Sequence, residues 1–253
     1  MPSECDREKR LQSIVSEIRD FCRANADESQ AAKYSKYFQE GYDGYGVPRN
    51  VWEEHQYDFY KAHKDELGLN GFLDLGDLLL QSGKYEEGSI AIVSVARLSR
   101  QFTPDAFGRI ALWLEGGIRN WAHTDVLSSH VLSVFLQKGI VGLDAMSSWR
   151  ESPSKWKRRA VPVTMISLLK TAADYGGLLD FIRPLMMDEE RAVHQGVGWF
   201  LREAWRRQPG PVEAFLHEWK DSAPRLIFQY ATEKMTAENR ARFRRAKGQA
   251  GAQ

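Results

Sequence analysis

Apolar residues recur at three- and four-residue intervals along almost the whole chain. In R-E-K-R-L-Q-S-I-V-S-E-I-R-D-F-C-R, Leu11, Ile14, Ile18 and Phe21 fall on one face of a helix over 7–25, because side chains three and four apart in a helix stack over one another. The same period predicts helices near 28–39, 50–63, 68–82, 85–101, 104–119, 124–138, 140–149, 154–173, 177–187, 189–207, 211–221, 225–234 and 237–246. Period-two alternation is nearly absent, so strands are not expected. Breaks are predicted at G-Y-D-G-Y-G-V-P (41–48), S-G-K (82–84), Thr103-Pro104, E-S-P-S (151–154), Y-G-G (175–177) and Q-P-G-P (208–211), where residues that favour turns and helix ends cluster.

Helix pairs with short connections, recurring over roughly 35–45 residues, describe an all-α fold: an α-α superhelix, or solenoid, of HEAT-like or ARM-type repeats. Such arrays curve and offer a concave binding surface. No linker is long enough to divide the chain, so residues 1–246 are expected to form a single domain and K-G-Q-A-G-A-Q (247–253) a disordered tail.

Composition narrows the possibilities. At 253 residues, 43% of them apolar, the chain can bury a sizeable core. Its net charge is only +1, but residues 1–100 hold 13 Lys/Arg against 18 Asp/Glu, and residues 101–253 hold 22 against 16. A basic second part suggests a local anionic partner and a groove of that sign; ordinary solvated helix faces give the same asymmetry. Cys5 and Cys22, the only cysteines, are too few for a disulfide framework or a thiolate zinc site and fit a reducing compartment. The charged start M-P-S-E-C-D-R-E-K-R is unlike a signal peptide, and no apolar run has the length of a membrane span. A cytoplasmic protein with no membrane partner is expected.

Two basic segments invite an anion. In S-P-S-K-W-K-R-R-A-V-P-V, Ser152 is expected to cap a helix with Pro153 in its first position. Lys155, Lys157, Arg158 and Arg159 then crowd the first turns, against the helix dipole, and a docked phosphate would relieve the conflict. Ala160, Val163, Ile166 and Leu169 mark the buried stripe, with Arg159 at its edge; a structural ion pair for Arg159 is the competing reading. In G-V-G-W-F-L-R-E, Gly196 and Gly198 flank Trp199, with Arg202 following. Two glycines weaken a helix unless something approaches closely, and a lone indole is by default a core residue.

The segment I-R-N-W-A-H-T-D-V-L sets Trp121 and Asp125 four residues apart, on one face if helical. An indole face beside a carboxylate suits a cationic substrate or one that develops positive charge. Other chemistries lack their signatures. The six histidines show no metal-ligand spacing, and there is no Walker loop, G-x-S-x-G or dinucleotide fingerprint. Neither a metal nor a cofactor is expected.

With N-W-A-H-T-D, W-K-R-R-A and G-W-F-L-R-E in this order on a helical background, the chain resembles the DNA alkylation-repair glycosylases built from HEAT-like repeats, the AlkD-like family. The resemblance spans roughly residues 30–245. It implies that Trp121 and Trp199 are aromatic walls contacting the sugar-phosphate of a lesion and that Asp125 is the catalytic carboxylate. It further implies that Arg159, with Lys157, Arg158 and Arg202, lies along the DNA backbone. Y-F-Q-E-G-Y-D-G-Y-G-V-P is similar to the family's segment before its first G-V/I-x-P turn, which assigns Tyr37, or in another register Tyr34, to the lesion. The implied activity is hydrolysis of the N-glycosidic bond of cationic N3- or N7-alkylated purines in duplex DNA, by a monomer, without flipping the base out. The alternative is a non-catalytic relative that binds damaged or branched DNA.

The implied chemistry suits the residue types. An alkylated purine already carries its positive charge and leaves as a neutral base, so no general acid is required. The oxocarbenium-like sugar must be stabilised, and one carboxylate can do this while orienting water. Indole faces favour cationic neighbours by about 0.5–2 kcal/mol each.

Overall fold

The computed structural model describes residues 3–245, and among these no strand occurs. The expected tail at 247–253 lies outside the described residues. The chain divides into two compact units, Met1–Phe135 and Leu136–Gln253.

The first unit opens with α1 (Glu4–Ala24), started by a capping box in which Ser3 and Asp6 exchange hydrogen bonds. Leu11, Ile14, Ile18 and Cys22 form its buried face. Helix α2 (Glu28–Ser35) follows an Asp27 cap. Then comes α3 (Arg49–Leu79), two helical stretches meeting at a kink, in keeping with the two helices expected there. Gly68, at φ 54° and ψ −166°, is the non-helical residue at that kink, in a conformation that side-chain-bearing residues avoid. The unit continues with α4 (Tyr85–Ala96), α5 (Pro104–Leu112) and α6 (Trp121–Leu127). Helix α5 starts at the predicted Thr103-Pro104 junction, with the Thr103 hydroxyl accepting from the Ala106 amide. Helix α4 packs on α3 and α6, and α1 on α3.

The pattern over 104–119 and 124–138 resolves into shorter pieces. Residues Trp113–Gly117 and Ser128–Leu132 are π-helical turns, single-turn widenings that often mark functional ground. Helix α7 (Ser133–Gln137) carries the chain into the second unit.

That unit contains a 3₁₀ segment (Leu143–Glu151), then α8 (Lys155–Met165), α9 (Gly176–Ile182), α10 (Arg191–Trp205), α11 (Pro209–Trp219), α12 (Arg225–Ala231) and α13 (Ala237–Ala241). Helix α10 is its centre, packed against α8 and α12. The expected Ser152 cap is corrected: Ser154 caps α8, accepting from the Lys157 amide, while the Ser152 hydroxyl accepts from the Ser154 amide. Pro153 consequently lies before the helix. The buried stripe is also wider than predicted, because every residue from Arg159 to Met165 is buried, whereas Ile166 is only half-buried.

Both cysteines lie on α1 and neither is bridged. Burial raises the Cys22 thiol to about 12, so it behaves as a small core apolar group. No helix among the described residues is long and apolar enough to cross a membrane, and no cluster of His, Cys, Asp and Glu among them could hold a metal ion.

Candidate active site

Trp121 and Asp125 both lie on α6, which begins at Trp121 itself. Asn120 is the cap: its Oδ1 accepts from the His123 amide at 2.8 Å, satisfying a donor the helix start leaves free. Trp121 and Asp125 are each half-buried, and their spacing sets them one turn apart on one face. The Trp121 indole N–H donates to the Tyr37 carbonyl at 3.1 Å, and its ring stacks on Phe38 with centroids 5.6 Å apart. Tyr37 and Trp121 are therefore brought together, although they are 84 residues apart in sequence. The Tyr37 side chain is 66% exposed. Phe38 was not singled out from the sequence; an aromatic beside Tyr37 in the matched segment was the only signal for it.

His123 fixes this helix in place. Its Nδ1 lies 3.1 Å from the Asn120 amide nitrogen, and its Nε2 lies 3.0 Å from the Tyr85 carbonyl oxygen and 3.1 Å from the Ser89 hydroxyl. A carbonyl can only accept, so Nε2 carries the proton, and Nδ1 accepts from Asn120. The ring stacks on Tyr85 with centroids 4.8 Å apart. Burial pushes the imidazole down to about 4, leaving it neutral near pH 7. Gly88 on α4 makes room for it: a Cβ there would stand 2.5 Å from His123 Cε1. This neutral imidazole is thus the fastener between α4 and the helix bearing Trp121 and Asp125.

The segment carrying Tyr37 and Phe38 is anchored by the first turn of α4. Buried Glu86 accepts from the amides of Tyr45, Gly46 and Val47 at 2.9, 2.9 and 3.2 Å. Glu87 accepts from the Tyr45 hydroxyl and pairs with Arg19 at 3.0 Å. Carboxylates at a helix start also complement its dipole. Gly46, at φ 73°, leaves no space for a side chain, since a Cβ would stand 2.3 Å from the Asp27 carbonyl oxygen.

The remaining candidates belong to the second unit. Arg159 is buried and donates through Nη1 to the Ala192 carbonyl at 2.5 Å. Arg158 binds Asp188 at 2.6 Å and the carbonyls of Ser152 and Pro153. Lys155 pairs with Glu190 at 3.5 Å, and Lys157 lies over the Trp149 ring at 5.2 Å. The protein's own carboxylates thus answer part of the charge that the sequence suggested a phosphate would balance. Arg202 pairs with Glu203 at 3.1 Å and with Glu233.

Trp199 is half-buried on α10. The glycines beside it mark close approaches, as their helix cost implied. A Cβ on Gly196 would stand 3.2 Å from Arg159 Cγ, and one on Gly198 would stand 2.5 Å from Tyr230 Cβ and 2.8 Å from the Ile227 carbonyl oxygen. Helices α8 and α12 therefore close on α10 on either side of Trp199.

The family model described as "DNA alkylation repair enzyme" matches residues 18–235. A solved structure described as a predicted DNA alkylation repair enzyme from Enterococcus faecalis is similar in fold, with a TM-score of 0.72 at 16% identity over 84% of this chain and 98% of that one. AlkD2 from Streptococcus mutans gives a TM-score of 0.55 at 20% identity over 83% of this chain and 99% of that one. The protein smu.31 from Streptococcus mutans UA159 gives 0.53 at 20% identity over 74% and 98%. No curated protein matches the chain. At these identities the likeness to solved structures is one of fold, and it agrees with the all-α helical-repeat class read from the sequence.

Proposed function

The chain belongs to the DNA alkylation repair enzyme family, and from that premise we propose that it is a monofunctional DNA glycosylase acting on cationic N3- and N7-alkylated purines in duplex DNA. The observation that carries the proposal is the α6 site. There an indole and a carboxylate sit one turn apart, both half-buried, on a helix start held by Asn120 and His123.

Asp125 is assigned the reacting centre. As the C1′–N bond breaks, its electrons pass to the purine, which leaves neutral, and positive charge develops on the sugar. The carboxylate stabilises that charge and aligns the attacking water, whose proton passes to Asp125 or solvent as the C1′–O bond forms. Trp121 offers an electron-rich face to the same cation. Its indole N–H is held by the Tyr37 carbonyl, so the ring is oriented before DNA arrives, which lowers the ordering cost of binding.

In the second unit, Trp199, Lys157 and Arg159, the last oriented by the Ala192 carbonyl, are assigned to the backbone of the lesion strand. Contacts of this kind place the protein on DNA without reading sequence. Arg158 and Arg202 already hold carboxylates, so their contribution is to scaffold charge more than to phosphate contact.

The test incubates the purified chain with duplex DNA carrying 7-methylguanine or 3-methyladenine and measures released base and abasic sites. Release at an enzyme-dependent rate is expected. Tight, salt-dependent DNA binding with no release above background would replace this reading with that of a non-catalytic DNA-binding relative.

A further inference from the structure

Tyr57 stands on α3, 47% exposed, with two cations over its ring. The Lys61 ammonium, from the next turn of the helix, lies 4.7 Å from the ring centroid, and the Arg97 guanidinium lies 5.3 Å from it. Arg97 is the C-cap of α4. It also lies 5.4 Å from the Tyr60 ring, which is stacked in turn on Phe72. Electron-rich faces attract cations, and rings carried by packed helices hold these long side chains in place.

The end of α4 accounts for one cation, since positive charge there complements the helix dipole. It does not account for two converging on one ring, where they repel each other. A carboxylate beside them would relieve the repulsion. Residues 1–100 hold 18 Asp/Glu against 13 Lys/Arg, yet neither Lys61 nor Arg97 forms an ion pair or donates a hydrogen bond among the described residues. Glu53 pairs instead with Arg49, and Asp65 with Lys64. Both cations are exposed and open to an anion from outside.

Position narrows what that anion is. Glu53 and Val93 lie one turn before Tyr57 and Arg97 on the same helix faces, and both line a cavity whose wall also includes Val126, the residue after Asp125. All of these residues belong to the first unit. The two cations therefore lie one helical turn, about 5.4 Å, beyond a surface that runs to the proposed reacting centre. Guanidinium and ammonium groups held in this way present charge and N–H donors, which suit phosphate oxygens. The rings are engaged with the cations, so the patch turns outward more charge than stacking surface for a base.

We propose that Lys61 and Arg97, braced by Tyr57 and Tyr60, form a clamp for the phosphodiester backbone of duplex DNA away from the lesion, within the acid-rich part of the chain. The clamp contributes affinity and takes no part in bond cleavage. It rests on the alkylation-repair reading only in taking DNA as the partner: a chain that excises nothing can still carry the clamp, and a chain that excises can lack it.

The test measures binding of the full chain to a labelled, undamaged duplex by fluorescence anisotropy over a series of salt concentrations. Each phosphate contact contributes about 0.9 to the slope of log affinity against log salt, so Lys61→Gln/Arg97→Gln should lower the slope by about two. Its melting temperature should not move, because both side chains are exposed. Lys61→Arg/Arg97→Lys keeps both charges and should keep the slope. Tyr57→Leu removes the brace alone and should weaken binding by about two- to fivefold, with the slope little changed. On a duplex carrying 7-methylguanine, at saturating protein, single-turnover release by Lys61→Gln/Arg97→Gln should match the wild type, which separates the clamp from the chemistry at Asp125. An unchanged slope in that double variant overturns the proposal, whether or not base is released. So does a loss of slope in Lys9→Gln, an exposed control on α1, equal to that in Arg97→Gln alone.

Discussion

Lowering the pH from about 7.5 to about 4.5 is expected to destabilise the first unit through His123, by an amount the geometry fixes. Its ring is buried, Nε2 is committed to the Tyr85 carbonyl, and Nδ1 accepts from the Asn120 amide. A second ring proton would turn Nδ1 into a donor facing a donor, and burial would leave the new charge poorly solvated. The imidazole therefore sits at about 4 in the folded chain, against 6.5 when free. Between those values the unfolded chain binds the proton and the folded chain does not. The contribution is accordingly complete above about pH 6.5 and is lost as pH falls toward 4. The difference of about two and a half units corresponds to about 3 kcal/mol, a large part of the ~5–15 kcal/mol that holds a typical domain together.

Denaturant unfolding of the wild type and of His123→Gln, at steps across that window, measures the effect. Carboxylates and His55 titrate in both proteins and cancel in the difference. The variant should start less stable at neutral pH, and the gap should close by about 3 kcal/mol toward pH 4. Imidazole NMR gives an independent reading, with the His123 ring neutral down to well below pH 6. A gap constant with pH, or a ring protonating near 6.5, would falsify the assignment of His123 as the neutral fastener of α6.

Other substitutions follow from the same contacts. Arg158→Ala leaves Asp188, only 5% exposed, without its cation. Thermal unfolding should show a loss of about 3–5 kcal/mol, with little change in the salt dependence of DNA binding; the reverse outcome would make Arg158 a phosphate contact. Gly88→Ala puts a methyl 2.5 Å from His123 Cε1. A cost of about 1–3 kcal/mol is expected, with base release falling more than DNA affinity, and unchanged release would show that α6 tolerates displacement. Gly198→Ala, against Tyr230 and the Ile227 carbonyl, should cost a similar amount by separating α10 from α12, as read by chemical unfolding. A neutral effect there would mean that the helices yield freely.

Local signals carried far into the structure. The Thr103-Pro104 start and the shared face of Trp121 and Asp125 depend on residues within one turn, and both are realised. The glycines beside Trp199 announced close contacts without saying with what; α8 and α12 supply the partners. Where two local solutions were equivalent, the sequence was ambiguous. Ser152 and Ser154 are both capping residues, and only the packed structure selects Ser154. The change of pattern between 50–63 and 68–82 is realised as the non-helical kink at Gly68 within α3. The least legible parts depend on distant partners. His123 meets Tyr85 and Ser89 from α4, Arg158 meets Asp188 from 30 residues away, and Glu86 gathers the amides of residues 45–47. Spacing within a helix says nothing about such meetings, so a fastening histidine read only as a poor metal ligand.

The assignment of Asp125 is tested most directly by single-turnover release of 7-methylguanine from duplex DNA by the wild type and Asp125→Asn, with DNA affinity measured on the same samples. Asparagine keeps the size and removes the charge. The expected result is a fall in the release rate of about a hundredfold or more, the scale of losing one group that stabilises transition-state charge, with affinity changed by less than about threefold. Equal losses of rate and affinity, or a variant as fast as the wild type, would contradict a catalytic carboxylate at this position.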